Sequence, residues 1–170
     1  MGFLDFLRSV VCPKPQPPKD VIQIPNISDV VEGNLVEVEP ISVLRNYGYE
    51  DIVKADKTYY ALPKKKWIKL LTRIYDNVNP LLEYNLESLD CDDYSTIYAS
   101  LVALTFYLNR KTSKHQLAFG IAWSKTHAFN LLVDDKERVW IYEPQTNEVI
   151  NEIHKVRRDM YKARKIWFMG

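Results

Sequence analysis

Cys91 stands among three aspartates, Asp90, Asp92 and Asp93, directly before a long apolar run over residues 94–108. The run is apolar on nearly every helical face, which predicts a central, buried helix. Asp90 is a good N-cap residue, so we expect Cys91 in the first turn of that helix. Exposed backbone N–H groups there favour a thiolate, whereas the neighbouring carboxylates oppose it. A nucleophilic thiol would therefore need a base from elsewhere in the chain.

Of the three histidines, only His127 lies where an apolar strand meets a loop, and Glu143 ends the next predicted strand. A nucleophile at a helix N-terminus, a base on one strand and an acid on the next follow the logic of a catalytic triad. We expect a three-residue hairpin loop, residues 134–136, so that Val133 opposes Glu137. His127 then faces Glu143 directly, on the same side of the sheet.

Three motifs carry a family resemblance: DCDDY at residues 90–94, HAFN at residues 127–130 and YEPQ at residues 142–145. Together they resemble the transglutaminase-like branch of papain-fold cysteine enzymes, in particular small phage and bacterial members. The resemblance covers about residues 81–150, which is under half of the chain.

The resemblance implies a role for each member of the triad. Cys91 would be the nucleophile, His127 the base and Glu143 the group that orients the base, although the family usually has aspartate in the third position. The resemblance also implies an oxyanion hole formed by the backbone N–H of Cys91 and a second donor. The candidates for that second donor are Gln145, Trp123 and Asn77.

The predicted fold class is α+β, because a helix precedes a run of strands. The resemblance makes this a papain-like or transglutaminase-like core, with the central buried helix packed on an antiparallel sheet. Helices are expected at residues 41–47, 64–75 and 94–108, and strands at residues 21–24, 35–38, 116–123, 127–133, 138–143 and 165–169, with residues 147–163 partly helical.

The chain of 170 residues is expected to divide into residues 1–19 and a transglutaminase-like domain over residues 20–170. The first segment combines a short amphipathic helix over residues 1–11 with a proline-rich linker. We expect that helix to dock on its own domain or on a protein partner, with a weak interfacial helix as the alternative. Cys12 precedes the prolines and is expected to be neither catalytic nor disulfide-bonded to Cys91.

Composition limits the partners. The 23 basic and 22 acidic residues leave a net charge of +1, which gives no general attraction to nucleic acid or to an anionic membrane. No apolar stretch is long enough to span a bilayer. Two cysteines exclude a disulfide scaffold and favour a reducing compartment, so we expect a cytoplasmic protein, or a virion-associated one if it comes from a phage.

Two functions follow from this interpretation. The first is a cysteine hydrolase or acyltransferase acting on an amide bond of a peptide, an isopeptide or a glutamine side chain. The alternative is a catalytically inactive transglutaminase-like fold that serves as a phage accessory protein or a protein-interaction module. Neither needs a cofactor, and no metal is expected. The three aspartates lack the glycine and distal glutamate of a calcium loop, and Cys91 with His127 lacks a second cysteine for zinc.

Overall fold

The computed structural model describes residues 21–82 and 89–169, so the expectations for residues 1–19, including Cys12, lie outside the described residues. The helices are α1 (Ser28–Val31), α2 (Pro40–Asn46), α3 (Lys64–Val78) and α4 (Cys91–Asn109). The strands are β1 (Val36–Val38), β2 (Ile52–Lys54), β3 (Tyr59–Ala61), β4 (Phe119–Trp123), β5 (Ala128–Val133), β6 (Val139–Glu143), β7 (Glu148–Glu152) and β8 (Lys165–Phe168). None of these helices combines the length and apolar character that crossing a lipid bilayer requires.

A mixed six-stranded sheet forms the centre of the structure, in the order β2-β8-β4-β5-β6-β7. β2 runs parallel to β8, with Ile52 opposite Ile166, whereas the other neighbours are antiparallel. The prediction of an antiparallel sheet is therefore wrong at this edge. A parallel pair of strands needs a long crossover connection. Here the chain between β2 and β8 contains α3, α4 and the central strands. β1 and β3 form a separate antiparallel pair.

Both faces of the sheet are buried. On one face, Ile121 and Leu132 pack with α3 and α4 in a first core, and on the other face Phe129, Leu131 and Ile141 lie in a second core. Every residue of β5 and β6 is consequently buried. A strand covered on both sides has no need for polar residues at alternate positions, which explains its continuous apolar sequence.

Helix α4 lies on the first-core face and is buried along one side only. Tyr98 and Phe106 are inaccessible, but Leu104, Tyr107 and Leu108 are 44%, 52% and 41% exposed. These three positions are three and four residues apart and share one helical stripe, which faces away from the sheet. The prediction of a helix buried on all sides is wrong for this stripe.

The side chain of Asn130 connects α4 to the sheet. Its Nδ2 donates to the carbonyl of Ser95 in α4 at 2.9 Å and to the carbonyl of Gly120 in β4 at 3.1 Å. Asn130 is fully buried, and a buried carbonyl without a hydrogen bond would destabilise the fold, so these two bonds stabilise the contact between α4 and β4. Gly120 also admits β8, because a Cβ there would lie 2.8 Å from the carbonyl oxygen of Trp167. The N-terminal half of α4 is thereby fixed over β4 and β5.

Two further predictions about local structure are wrong. Residues 21–24 form no strand; Val21 and Ile22 are exposed and have no ladder partner among the described residues. Residues 147–163 hold no α-helix but an edge strand, β7, followed by the 3₁₀ turns Ile153–Lys155 and Asp159–Tyr161. The backbone of this polar segment forms hydrogen bonds with the free edge of β6. The local sequence does not reveal that partner.

The turn between β5 and β6 is organised by the carboxylate of Asp134, which is fully buried. It accepts hydrogen bonds from the backbone N–H groups of Lys136 and Arg138. It also pairs with the Arg138 guanidinium at 2.6 Å and accepts a hydrogen bond from the indole N–H of Trp140 at 2.9 Å. Burial alone would raise the pKa of Asp134, but the hydrogen bonds from Arg138, Trp140 and the backbone outweigh it and lower that pKa. Glu137 takes the left-handed conformation needed to close the turn, with φ of 57°.

The lowered pKa of Asp134 predicts acid-sensitive stability. An ordinary Asp has a pKa of about 3.9, so the contribution of the folded-state carboxylate is complete above that pH and is lost as the pH falls through its lower folded-state value. We expect Asp134→Asn to lower the free energy of unfolding by about 2 kcal/mol at pH 7 and by much less at pH 3. Urea denaturation between pH 3 and pH 7 measures this, and a difference that stays constant with pH would contradict it.

Candidate functional site

Cys91 is the first residue of α4, as predicted. The Asp90 carboxylate accepts the N–H of Asp92 at 3.1 Å, and the Asp93 carboxylate accepts the N–H of Asp90 at 3.2 Å, which completes a capping box. Cys91 is a free, half-buried thiol. Its Sγ accepts the N–H of Ala128 at 3.4 Å, so the thiol lies beside the peptide bond that joins His127 to β5.

His127 and Glu143 form a close pair. His127 Nε2 lies 2.7 Å from Glu143 Oε2, and the two side chains are only 10% and 7% exposed. Ser124 fixes the backbone of His127, because its Oγ accepts the His127 N–H at 3.0 Å and its own N–H donates to the His127 carbonyl at 2.9 Å. His127 is therefore held at its backbone by Ser124 and at its ring by Glu143.

The register that brings this pair together differs from the predicted one. Val133 opposes Val139 rather than Glu137, so opposed residues in β5 and β6 sum to 272 and not to 270. The loop has five residues instead of three because Asp134 and Arg138 close it. Extending the ladder puts Glu143 opposite Phe129, two residues beyond His127. The odd loop keeps His127 and Glu143 on one face, as predicted, and the pair forms diagonally.

The thiol and the imidazole approach from opposite faces of the sheet. The His127 ring packs against Phe129 and Tyr161 on the second-core face, with ring centroids 6.1 Å and 5.6 Å away, whereas α4 lies on the first-core face. The thiol reaches the start of β5, where its Sγ accepts the N–H of Ala128, the residue next to His127. No hydrogen bond joins the thiol to the imidazole within the described part of the chain. Glu143 engages Nε2, so Nδ1 is the nitrogen left to exchange a proton with the thiol.

Tyr161 contacts the candidate site, and the sequence reasoning missed it. Its hydroxyl donates to Glu143 Oε2 at 3.1 Å, the same oxygen that His127 Nε2 contacts, while Glu143 Oε1 is buried with no hydrogen-bond partner among the described residues. Burial, followed by the charge of Glu143 and this hydrogen bond, raises the pKa of Tyr161 to about 12, so the phenol remains a donor. Tyr161 comes from a 3₁₀ turn in the polar segment before β8, and nothing in that local sequence indicates where its ring packs.

The three candidates for a second oxyanion donor differ in placement. Trp123 pairs with Ala128 in the ladder and packs against the first core, next to the thiol. Gln145 follows Glu143 at the end of β6, and its Nε2 is buried without a partner. The Nδ2 of Asn77 donates to the Arg73 carbonyl of its own helix at 2.6 Å, so the structure gives this side chain a helical role.

One group of donors within the described ranges has the spacing of a metal site. Oxygen atoms of Asp90 and Asp92 and the sulfur of Cys91 lie within 4.8 Å of one another. The Asp90 carboxylate is already used by the capping box, and a hydrogen bond between the two carboxyl groups lowers the pKa of Asp90 and raises that of Asp92. These contacts account for the cluster as a helix cap.

No model of a protein family matches the chain, and no curated protein matches it. Solved structures do share its fold. A PSL1a-E64 complex matches with a TM-score of 0.58 and 19% sequence identity over 78% of this chain and 50% of that chain. Polyporus squamosus lectin bound to the human-type influenza-binding epitope Neu5Aca2-6Galb1-4GlcNAc matches with a TM-score of 0.56 and 19% identity over 78% and 49%. The chain thus spans about half the length of these structures.

These comparisons correct the predicted fold class and function. Polyporus squamosus lectin shares the fold, and this finding contradicts the predicted papain-like or transglutaminase-like fold class. The same finding contradicts a cysteine hydrolase or acyltransferase acting on amide bonds and leaves the inactive transglutaminase-like module unsupported. It also conflicts with a peptide substrate, and nothing supports a phage origin. The resemblance of the short motifs around Cys91, His127 and Glu143 to that family covers less than half of the chain and stays a prediction.

The position of the His127–Glu143 hydrogen bond predicts one imidazole tautomer. A carboxylate at Nε2 favours the Nε2–H form of the neutral ring and leaves Nδ1 unprotonated. We expect ¹⁵N-detected NMR of the imidazole to find this form for His127 and a mixture for His154, whose Nε2 is 3.6 Å from Glu152. Glu143→Ala should move His127 toward a mixture of the Nε2–H and Nδ1–H tautomers. A dominant Nδ1–H form in the unchanged protein would contradict the geometry.

Proposed function

We propose that the chain is a carbohydrate-binding domain. The observation that carries the proposal is the fold shared with a lectin whose structure contains Neu5Aca2-6Galb1-4GlcNAc. At 19% identity the likeness concerns the fold, so a binding place must be sought in this chain's own surface. The amide-bond chemistry first inferred from the motifs has no part in this proposal.

An open cleft of about 590 Å³ between β7 and the turns before β8 offers such a place. Its volume lies in the range of small-molecule sites. The lining combines a buried aromatic residue with amide, carboxylate and basic side chains, which are the groups that recognise sugar hydroxyls and acidic substituents. The lining residues are Glu148, Val149, Ile150, Asn151, Lys155, Val156, Arg157, Arg158 and Tyr161.

The charges of the cleft favour a sugar that carries a carboxylate. Lys155 is paired with Glu152 at 2.8 Å, but Arg157 and Arg158 are exposed and have neither a hydrogen bond nor an ion pair from their guanidinium groups within the described ranges. A guanidinium binds a carboxylate through two parallel hydrogen bonds and needs no rearrangement of its own partner when it is unpaired. Glu148, on the β7 wall of the cleft, can accept hydrogen bonds from sugar hydroxyls.

The proposal predicts that Neu5Aca2-6Galb1-4GlcNAc binds this chain more tightly than Galb1-4GlcNAc. Replacing Arg157 and Arg158 together by Ala should weaken binding of the acidic trisaccharide by about 10-fold or more, because charge-assisted hydrogen bonds are lost. Arg45→Ala, at an exposed position in α2, is the matched control and should bind normally. Calorimetry or ligand-observed NMR measures these affinities. Equal binding by the double variant, or no binding by the unchanged chain, would overturn the proposal for this cleft.

A second candidate function, a reactive thiol at Cys91, is favoured by the pairing of His127 with Glu143 at 2.7 Å. In this proposal Glu143 holds the Nε2–H of His127, and Nδ1 takes the proton of Cys91 as Sγ forms a bond to an electrophilic carbon. The bond from that carbon to its leaving group breaks in the same step, and iodide leaves when the probe is iodoacetamide. Cys91 is then the nucleophile, His127 the base and Glu143 the orienting group. The natural electrophile is left unassigned, because the contacts around the thiol select no substrate.

The reactive thiol predicts selective alkylation. Under limiting iodoacetamide at neutral pH, Cys91 should be modified at least about 10-fold faster than Cys12, and His127→Ala should remove that advantage. His154→Ala is the matched control, since His154 is an exposed histidine with its own carboxylate neighbour. Peptide mass spectrometry follows both cysteines, and a parallel incubation with E64 tests the compound of the PSL1a complex. If Cys91 reacts no faster than Cys12, the thiol proposal fails while the carbohydrate proposal is untouched.

A further inference from the structure

Two side chains hold the Glu143 carboxylate. One is His127, and the other is Tyr161, which is not part of the predicted triad. Oxygen Oε2 contacts His127 Nε2 at 2.7 Å and the Tyr161 hydroxyl at 3.1 Å. Oxygen Oε1 is buried and has no hydrogen-bond partner in the part of the chain that the structure describes. A carboxylate with both of its bonds on one oxygen can rotate when either bond is removed, so its orientation depends on Tyr161 as well as on His127.

Tyr161 also touches the imidazole directly. Its ring meets the His127 ring edge-on, with centroids 5.6 Å apart and planes at 72°, and it meets Phe129 in the same way at 5.3 Å and 82°. Phe129 in turn lies against the His127 ring, with centroids 6.1 Å apart. The three rings form a closed group, so Tyr161 restricts both the carboxylate and the plane of the imidazole.

We infer that Tyr161 is a positioning residue for Cys91: through Glu143 it keeps His127 in the tautomer and orientation that leave Nδ1 available to the thiol. This inference rests on the proposed reactive thiol and adds a fourth residue to it. The phenol has a single hydrogen and donates it to the carboxylate, which leaves Oε2 to accept the Nε2–H of His127 with its other lone pair. Its raised pKa, about 12, keeps that hydrogen in place throughout the neutral range.

The placement of Tyr161 gives the inference a further consequence for the fold. Tyr161 lines the cleft between β7 and the turns before β8 and also donates to Glu143. The residue that orients the dyad is thus carried by a segment outside the sheet, whereas His127 and Glu143 are fixed by the ladder. Changes in that segment reach the dyad through the Tyr161 hydroxyl and through the contact of its ring with the His127 ring.

The test compares Tyr161→Phe with Tyr59→Phe. Both changes remove one hydroxyl from a buried tyrosine of the second core, but the Tyr59 hydroxyl donates to the Phe168 carbonyl at 3.3 Å, away from the dyad. For Tyr161→Phe we expect iodoacetamide alkylation of Cys91 at pH 7 to slow by about 2- to 10-fold, the range attributable to one hydrogen bond. Its pH profile should shift to higher pH, and the Nε2–H tautomer of His127 should lose population by NMR. Tyr59→Phe should change neither.

The outcomes distinguish a failure of the positioning role of Tyr161 from a failure of the reactive thiol at Cys91. If Tyr161→Phe keeps the alkylation profile and the His127 tautomer of the unchanged protein, Tyr161 has only a packing role and the inference is wrong. A lower melting temperature in both variants, with no change in tautomer or profile, leads to the same conclusion. If Cys91 of the unchanged protein shows no special reactivity, the reactive thiol fails. The NMR tautomer then still decides whether Tyr161 positions the Glu143–His127 pair.

Discussion

The parity of the β5–β6 turn is the constraint on which the candidate site depends. Side chains alternate across a sheet, so adding or removing one loop residue would send Glu143 to the face opposite His127. The Asp134 carboxylate determines that number, because it binds the backbone N–H groups of Lys136 and Arg138 and closes a five-residue loop. A buried acid at one end of the hairpin thereby sets which side chains can meet at the other end.

Burial of the sheet on both faces then decides how the site is assembled. The thiol arrives on α4 above the first core, and the imidazole and carboxylate lie above the second core. Groups on opposite faces of a continuous sheet cannot meet through it, and the thiol comes close to the His127 backbone at the start of β5, where Cys91 Sγ accepts the Ala128 N–H. Asn130 contributes at a distance, because its hydrogen bonds to Ser95 and Gly120 hold the start of α4 over the sheet.

Much of this architecture could be predicted where the determining forces are local. The Asp90 cap and the apolar run identify the start of α4, and the short apolar runs after it identify β4, β5 and β6. The predictions were wrong where the deciding partner is remote in sequence. β2 pairs with β8 across most of the chain, and β7 exists because β6 has a free edge. The loop length was wrong by two residues because turn propensity does not include the bonds that Asp134 makes.

The prediction of the fold class was wrong for a related reason. A short motif records which residue types stand near one another in sequence, and a Cys, a His and an acid at these spacings fit more than one arrangement of the chain. The residue that completes the environment of Glu143 is Tyr161, which comes from a turn with no motif of its own. The surroundings of Cys91, His127 and Glu143 were not predicted, and the roles assigned to these three residues stay predictions.

The pairing of His127 with Glu143 is hard to explain by stability alone. Glu143 is 5% exposed, one of its oxygens accepts two donors, and the other has no partner within residues 21–82 and 89–169. A half-satisfied buried carboxylate is a cost to folding, and apolar residues of similar volume often replace a buried polar pair without loss of stability. The apolar neighbours Phe129 and Ile141 could surround such a replacement. Departures from the best packing are expected at functional positions, so the arrangement favours a chemical role for this pair over a structural one.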